Sequence, residues 1–261
     1  MKIGVIQICS SLCPEENIKK IRGFLDMAAD IGVTAVFLPE CFYSMSDGLT
    51  ASSHLVSYDN HHYKAILKLA KDYGIYILGG SAATLTDQGI VNRCYNFDTH
   101  GKDLGFYDKI HLFSCDIEGK NGERKIINEG DIYLPGQESK VINAGELKIG
   151  LSICFDVRYP KMYQEYKDQG VNLITISAAF TRPTGQAHWH TLIRARAIEN
   201  QCFVVAPAQW GKHNERIETF GHSLVVDPWG EVLADAGEGE KLIVAEIDLL
   251  LVKKVRERVK L

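Results

Sequence analysis

The segment KIGLSIC, residues 148–154, indicates how the chain folds. Side chains alternate between the two faces of a strand, so one face here is large and apolar and the other carries only small residues. The two sets are Ile149, Leu151 and Ile153, and Gly150, Ser152 and Cys154. The large face suits packing against helices, and the small face suits close approach by a second sheet. We therefore expect a sandwich of two sheets with helices outside, and Cys154 at the carboxyl end of a strand, where α/β sheets bind ligands.

The first third of the chain alternates between strand and helix patterns. The strand patterns are KIGVIQI (2–8), TAVFLPE (34–40) and IYILGGSAA (75–83), and the helix patterns are PEENIKKIRGFLDMAADIG (14–32) and HHYKAILKLAKDYG (61–74). This order predicts parallel strand pairing with helices packed on the sheet. Further along, hairpins are predicted through His100-Gly101, Ala144-Gly145 and Pro228-Trp229-Gly230. No linker or composition break appears, so we expect a single α/β domain, residues 1–261, with mixed sheets.

Later in the chain, GQAHWHTLIRARAIENQ (185–201) has the pattern of a helix. The spacing of Leu192, Ala195 and Ile198 predicts the buried stripe of this helix.

Composition excludes several classes of protein. The chain is 46% hydrophobic and 24% charged with a net charge of -4, which does not favour a nucleic-acid partner. No segment has the apolar length of a membrane span or of a signal peptide. Seven cysteines without disulfide-framework or zinc-like spacing favour a cytoplasmic protein whose sequence shows no metal site.

Three reactive residues stand at the ends of apolar segments: Cys154, Glu40 in VFLPE, and Lys109 in GFYDKIHLF. A thiol becomes a nucleophile when a base lies nearby, and a desolvated carboxylate can transfer protons near neutral pH. A fixed ammonium can stabilise an oxyanion. Each residue also has a simpler structural alternative, namely a core thiol, a helix cap or rim salt bridge, and a solvated lysine.

In this order along the chain, FLPECF (37–42), YDKIHLF (107–113) and LSICFDVRYP (151–160) resemble the motifs of the nitrilase, or carbon–nitrogen hydrolase, superfamily. The resemblance extends over nearly the whole chain, through EGDIYLPG (129–136), SAAFTRPTGQAHWHTLIRARAIENQCFVV (177–205) and GHSLVVDPWGEVLA (221–234). It implies an α/β fold that is a four-layer α-β-β-α sandwich with two mixed sheets and outer helices. It also implies no metal and no organic cofactor and, by analogy, a homodimer or higher homo-oligomer with helix 185–201 at the interface.

The resemblance further implies a role for each reactive residue. The nucleophile, the proton carrier and the oxyanion-binding cation would be Cys154, Glu40 and Lys109, with a thioester as the intermediate. The backbone N–H of Phe155 would be a second oxyanion donor. Glu129 matches the superfamily's second glutamate, which would orient Lys109 and the substrate. The alternative for Glu129 is a loop carboxylate paired with Lys125.

The blocks in the second half of the chain most resemble the Nit-type branch, close to deaminated glutathione amidases and ω-amidases. Such substrates are ω-amides of dicarboxylic or 2-oxo acids, or a peptide-like relative, and their carboxylate requires a basic residue. The candidates are Arg158 and Arg182, with His188 at the border of the pocket. The alternatives are a pair of Arg158 with Asp156 or Glu165, a solvated Arg182, and a His188 that packs in the core.

Other function classes fit the same residues. Nitrile hydrolysis or N-carbamoyl amide hydrolysis would use the same Glu-Lys-Cys triad, and a non-catalytic member would bind a metabolite without turnover. A papain-like peptidase would pair its cysteine with histidine and asparagine, and no motif around the nine histidines supports this. We predict an amidase acting on non-peptide carbon–nitrogen bonds in small linear amides, without nucleic-acid or membrane partners.

Overall fold

The computed structural model describes the backbone of residues 1–118 and 124–260 and the side chains of residues 1–116 and 127–260. Within these residues, helices α1 to α5 are Pro14–Asp30, His61–Tyr73, Pro160–Asp168, Arg182–Asn200 and Leu249–Arg258. Strands β1 to β9 are Lys2–Gln7, Ala35–Phe37, Tyr76–Leu78, Ser81–Thr86, Gly89–Cys94, Tyr107–Asp108, Ser114–Glu118, Arg124–Asn128 and Lys140–Ala144. Strands β10 to β17 are Leu147–Ile153, Leu173–Ser177, Phe203–Ala206, Trp210–Lys212, Glu218–Phe220, Leu224–Val226, Val232–Asp235 and Lys241–Glu246. In this part of the chain, no helix combines the length and apolar character needed to cross a bilayer.

The first large sheet has the strand order β17-β1-β2-β3. Strands β1, β2 and β3 run parallel, and β17 is antiparallel to β1. Helices α1 and α2 connect the parallel strands. On one face of the sheet, Ile6, Val36 and Ile77 share a buried cluster with Leu25 of α1 and Leu69 of α2. The helices therefore cover the outer face of this sheet, as the alternating pattern predicts.

The second large sheet has the strand order β16-β15-β12-β11-β10-β9. Strands β10, β11 and β12 are parallel, and helices α3 and α4 form the crossovers between them. Strand β9 is antiparallel to β10, and β15 is antiparallel to β12 and β16. Both large sheets are therefore mixed, and the parallel strands of each end at the same edge of their sheet.

The inner faces of the two large sheets pack against each other. Ile3 and Phe37 of the first sheet belong to the same buried cluster as Leu151 of the second. The sheets approach closely where a Cβ at Gly79 would lie 2.8 Å from Thr175 Oγ1. With helices outside both sheets, the protein is a four-layer α-β-β-α sandwich, which confirms the predicted fold class.

The prediction of which face of β10 packs against the opposite sheet was wrong. The small-residue face lies against α3, where a Cβ at Gly150 would lie 2.5 Å from the Tyr166 ring. The Tyr163 hydroxyl donates to Ser152 Oγ at 3.0 Å on the same face. Two buried tyrosines fill the space that the small residues leave, whereas packed sheets lie about 10 Å apart and need large side chains between them. The large face, which includes Leu151, therefore forms the core between the sheets.

Smaller sheets extend the sandwich. They pair β4-β5-β6, β7-β8 and β13-β14. The single strand predicted at 75–83 is divided at Gly79-Gly80 into β3 and β4, which belong to different sheets. Gly79 has a left-handed backbone with φ +78°, which breaks the strand. The three predicted hairpins are present as β5 with β6, β9 with β10, and β15 with β16.

The buried stripe of α4 also differs from its prediction. The buried apolar side chains are Trp189, Ile193 and Ala197, instead of the predicted Leu192, Ala195 and Ile198. Ile198 is 48% exposed, and Leu192 and Ala195 are partly buried. The predicted stripe therefore lies outside the buried face of the helix, with Leu192 at its edge against the core and Ile198 on the outer side. Spacing alone did not distinguish these two stripes, because both follow the helical period.

Candidate active site

Glu40 follows β2 at its carboxyl end, and the next residue, Cys41, has a left-handed backbone with φ +54°. The Glu40 residue is only 3% exposed. Its Oε1 accepts hydrogen bonds from Asn92 Nδ2 at 2.8 Å and from Lys109 Nζ at 2.9 Å. Its Oε2 accepts one from the Ala179 N–H at 2.8 Å. Donors from three separate segments therefore hold both oxygens of this buried carboxylate.

Lys109 follows β6 directly, and its side chain is 1% exposed. Its Nζ lies 2.9 Å from Glu40 Oε1, and 2.9 Å and 2.8 Å from the two carboxylate oxygens of Glu129. Burial alone would lower the pKa of Lys109, but the charges of Glu129 and Glu40 outweigh burial and raise this pKa. Burial raises the pKa of Glu129, an effect that Lys109 opposes. Lys109 is therefore a charged ammonium held between two carboxylates.

The segment that carries Glu129 passes closely behind Lys109. The Gly136 N–H donates to the Lys109 carbonyl at 2.8 Å. A Cβ at Gly136 would lie 2.0 Å from the Asp108 carbonyl oxygen, so only glycine permits this approach. Glu129 Oε2 also accepts from the Phe113 N–H at 2.8 Å, which aims the carboxylate at the ammonium. The side chain of Lys125, the alternative partner of Glu129, lies outside the described residues.

Cys154 is the first residue after β10, and it begins the 3₁₀ helix Cys154–Arg158 with a left-handed φ of +49°. The residue keeps 8% exposure. Burial raises the pKa of the Cys154 thiol well above its ordinary value, and the charge of Glu40 adds to this effect. The charge of Lys109 and the Ala179 N–H act in the opposite direction. The structure therefore brings Cys154 within electrostatic range of Glu40 and Lys109, with its sulfur protonated at neutral pH.

A buried carboxylate ties the cysteine turn to the lysine segment. Asp156 is completely buried, and its Oδ2 accepts from the Ile153 N–H at 2.8 Å and the Tyr107 hydroxyl at 2.7 Å. Its Oδ1 accepts from the His111 N–H at 3.0 Å and lies 2.8 Å from His111 Nδ1. Because Tyr107 and His111 flank Lys109 in sequence, this carboxylate sets the position of the ammonium relative to the sulfur.

Phe155 lies in the first turn of the same 3₁₀ helix. Its backbone N–H has no acceptor within that helix, as for the first N–H groups of any helix. The predicted oxyanion donor is therefore one residue from the sulfur in an orientation set by the turn.

Arg158, at the end of this 3₁₀ helix, contacts His188 of α4. Its Nη2 lies 3.2 Å from His188 Nδ1, and its guanidinium lies 5.7 Å and 5.6 Å from the ring centres of Phe155 and Phe180. Among the described residues, no carboxylate forms an ion pair with Arg158, so neither alternative pairing with an acidic residue is present. An open groove of about 140 Å³ is lined by Arg158, Ala187, His188, Thr191 and Leu192. His188 is exposed and does not pack in the core.

Arg182 lies at the start of α4 and is far more exposed. Its side chain is 50% exposed, and its nitrogens lie 2.7 Å from Glu218 and 3.8 Å from Glu238. The structure thus places Arg182 in a surface ion pair. Its charge is already matched by two carboxylates, which agrees with the alternative of a solvated charge.

A sequence profile described as carbon-nitrogen hydrolase matches residues 2–257. The chain belongs to the carbon–nitrogen hydrolase family. This membership confirms the resemblance in the sequence and the predicted class of enzyme, a hydrolase that acts on carbon–nitrogen bonds.

Relatives of this carbon–nitrogen hydrolase include proteins named as amidases. Deaminated glutathione amidase of a Synechocystis strain is 36% identical over 261 residues, which cover 98% of this chain and 94% of that protein. Omega-amidase NIT2-A of Xenopus laevis is 33% identical over 258 residues, which cover 99% of this chain and 92% of that protein. The crystal structure of Saccharomyces cerevisiae Nit3, described as a member of branch 10 of the nitrilase superfamily, matches with a TM-score of 0.85 at 27% identity. That match covers 100% of this chain and 94% of the yeast chain.

Sequence reasoning missed three residues that build the site of this carbon–nitrogen hydrolase: Asn92, Asp156 and Ala179. Asp156 did carry a signal, since it is an acidic residue two positions after the cysteine in an otherwise apolar segment. Asn92 lies within a strand without any local mark. Ala179 contributes only its backbone N–H, which every non-proline residue has. Only the fold shows that Asn92 and Ala179 contact Glu40.

Proposed function

We propose that this carbon–nitrogen hydrolase is an amidase that converts a small linear amide into a carboxylic acid and ammonia through a thioester on Cys154. The observation that carries the proposal is the buried Lys109 ammonium, held at 2.8–2.9 Å between Glu40 and Glu129 and within electrostatic range of Cys154. The arrangement combines a soft nucleophile, a carboxylate for proton transfer and a fixed cation in a site that largely excludes water.

In the first step the sulfur attacks the amide carbonyl carbon. Because burial raises the pKa of the Cys154 thiol, the thiol is protonated at neutral pH and a base must remove its proton as the carbon–sulfur bond forms. Glu40 is that base. The negative charge that develops on the substrate oxygen is stabilised by the Lys109 ammonium and the Phe155 N–H.

In the second step the tetrahedral intermediate collapses. The carbon–nitrogen bond breaks as Glu40 gives its proton to the departing nitrogen, so ammonia leaves and the thioester remains. A water molecule then loses a proton to Glu40 and attacks the thioester carbon. The carbon–sulfur bond breaks, the acid leaves, and the sulfur recovers its proton from Glu40. Glu129 keeps Lys109 in place throughout this cycle.

We propose that the substrate carries a carboxylate in addition to the amide, as ω-amides of dicarboxylic or 2-oxo acids and deaminated glutathione do. Two relatives with these activities in their names support this choice. Arg158 is the candidate for binding the carboxylate, because its guanidinium has no carboxylate partner among the described residues and lies over the rings of Phe155 and Phe180. Those two residues directly follow Cys154 and Ala179 in sequence. His188, 3.2 Å from Arg158, orients the guanidinium.

The catalytic assignment is tested by Cys154→Ala, with Cys202→Ala as a matched control at a buried thiol between α4 and β12. We expect Cys154→Ala to abolish ammonia release and the acyl adduct detected by mass spectrometry, while Cys202→Ala keeps both. Turnover like that of the wild type in Cys154→Ala refutes the assignment. Assays of the wild type with a nitrile and with an N-carbamoyl compound, beside the amide substrate, test the alternative reactions.

The substrate assignment is tested by Arg158→Gln, with Arg22→Gln in the surface ion pair with Asp72 as control. A hydrogen bond to a charged group contributes about 1.5–3 kcal/mol, so kcat/KM for 2-oxoglutaramate or deaminated glutathione should fall about tenfold to a hundredfold. Hydrolysis of a neutral aliphatic amide should change little. Equal losses on charged and neutral amides contradict the role of Arg158.

We further propose a homodimer that forms through the outer side of α4. The apolar strip of Leu192, Ala195 and Ile198 is only partly buried in the chain, which supports an interface there. Light scattering after size-exclusion chromatography should give a dimer mass, and Ile198→Glu should shift it towards the monomer. An unchanged mass in that variant excludes this face.

We also propose a cytoplasmic location. All seven cysteines are free thiols, which is typical of a reducing compartment. Fractionation of cells that express the tagged full chain tests this proposal.

A further inference from the structure

Three potential metal ligands from distant parts of the chain converge outside the catalytic residues. His190 lies on α4, His222 in the turn between β14 and β15, and Asp235 at the end of β16. His190 Nε2 lies 3.0 Å from Asp235 Oδ2, and His222 Nδ1 lies 3.0 Å and 3.1 Å from the two carboxylate oxygens. One ligand atom from each residue lies within 4.8 Å of the others.

We propose that His190, His222 and Asp235 bind a divalent transition-metal ion, with Zn²⁺ as the best match. Two imidazole nitrogens and a carboxylate oxygen are a donor set that Zn²⁺ accepts, with a fourth position left for water. The three atoms already face one another, so they need to move apart only slightly to surround an ion at about 2.0–2.2 Å from each. No local pattern in the sequence indicates this site, because its ligands have no zinc-like spacing.

Contacts with neighbouring groups already hold two of the three ligands in position. His222 has a left-handed backbone with φ +55°, and its ring stacks on Phe220 at 4.5 Å between ring centres. The His222 carbonyl accepts from Trp189 Nε1 at 2.7 Å. Asp235 Oδ1 accepts from the Gly237 N–H at 2.8 Å. A ligand set that is ordered in advance binds an ion with less loss of conformational freedom.

The geometry also explains why this group differs from an ordinary surface ion pair. Two imidazole rings point at a single carboxylate, and both rings also contact the Phe220 ring and each other. All three side chains are partly exposed, at 40%, 24% and 33% for His190, His222 and Asp235, so an ion can reach them from solvent. A bound ion would join α4, the turn after β14 and β16, and would stabilise the folded state.

Equilibrium dialysis of the full-length protein against Zn²⁺, followed by elemental analysis, tests the proposal. The variants are Asp235→Asn, which keeps the side-chain shape, and His222→Asn, because asparagine tolerates the left-handed backbone. His100→Asn, an exposed histidine in a hairpin turn, is the control. Any Zn²⁺ bound by the cysteines is present in every sample. The difference in Zn²⁺ content between the ligand variants and the wild type therefore reports on this site alone.

We expect the wild type and His100→Asn to bind one more equivalent of Zn²⁺ than Asp235→Asn and His222→Asn. We also expect Zn²⁺ to raise the melting temperature of the wild type and His100→Asn more than that of the two ligand variants. A titration with Co²⁺ should produce visible absorption bands that only the ligand variants lose. Equal metal content and equal melting shifts in all four proteins overturn the proposal, and leave a hydrogen-bonded group of histidines and aspartate.

Discussion

Replacement of Lys109 by methionine separates the structural role of the ammonium from its catalytic role. Methionine keeps a similar apolar stem but removes the charge that Glu40 and Glu129 share. Glu40 is then a carboxylate with 3% exposure and no cation, whereas Glu129, with a side chain 21% exposed, is partly solvated. Removal of one partner from a buried ion pair costs about 3–5 kcal/mol of unfolding free energy. We expect Lys109→Met to lose a similar amount.

Catalysis should suffer for a different reason. A fixed donor to an oxyanion contributes about 2.7–4 kcal/mol, so kcat should fall by about a hundredfold to a thousandfold or more. The double variant Lys109→Met, Glu129→Gln removes one of the two unpaired carboxylates. Glutamine keeps an oxygen that can accept from the Phe113 N–H. The double variant should therefore regain part of the lost stability without regaining activity.

Urea unfolding measures the stability of the wild type, the single variant and the double variant, and ammonia release measures kcat for each. Glu129→Gln alone is the matched control for the glutamine. If kcat recovers together with stability in the double variant, Lys109 acts on catalysis through folding alone and the oxyanion assignment fails. A loss of kcat under about tenfold in Lys109→Met would refute it as well.

Three further predictions concern packing and pH. Gly150→Ala should cost about 1–3 kcal/mol in urea unfolding, because its Cβ would lie 2.5 Å from the Tyr166 ring; an unchanged midpoint contradicts this packing. Gly23→Ala should instead stabilise by about 0.4–1 kcal/mol, since this exposed position in α1 has no atom within 4 Å of the added Cβ. Burial raises the pKa of Cys202 to about 12. The pKa of an unfolded thiol is about 8.5, so above that pH the unfolded chain binds fewer protons than the folded chain. The free energy of unfolding then falls by up to about 1.4 kcal/mol per pH unit for this thiol. Cys202→Ala should remove this contribution from the pH dependence of the free energy of unfolding.

The catalytic candidates could be found from the sequence because each leaves a local signal. Glu40, Lys109 and Cys154 are polar residues next to apolar strand segments, and their motifs resemble those of one superfamily. Arg158 and Arg182 have equal local signals, yet one lies over aromatic rings and the other pairs with two surface glutamates. Local sequence does not separate them, because the partner of a long charged side chain depends on which segments lie within its reach.

The sequence likewise did not predict which face of a helix or strand packs against which neighbour. In α4, two apolar stripes follow the helical period, and only the position of the sheet decides that Trp189, Ile193 and Ala197 are buried. On β10, the alternation of small and large residues was evident, but the bulk of Tyr163 and Tyr166 on α3 decided which face met the helix. Period is a local property of the chain, whereas orientation depends on the volume of distant side chains.

By itself, the sequence determined the types and order of most helices and strands, the sandwich class and the three residues at the strand ends. Hydrophobic periodicity and backbone stereochemistry act over a few residues, so they can be read along the chain. The tertiary structure alone decided the donors to Glu40, the Asp156 link between the cysteine turn and the lysine segment, and the meeting of His190, His222 and Asp235. These contacts join residues tens of positions apart, and only the packing of the two sheets brings them within hydrogen-bond distance.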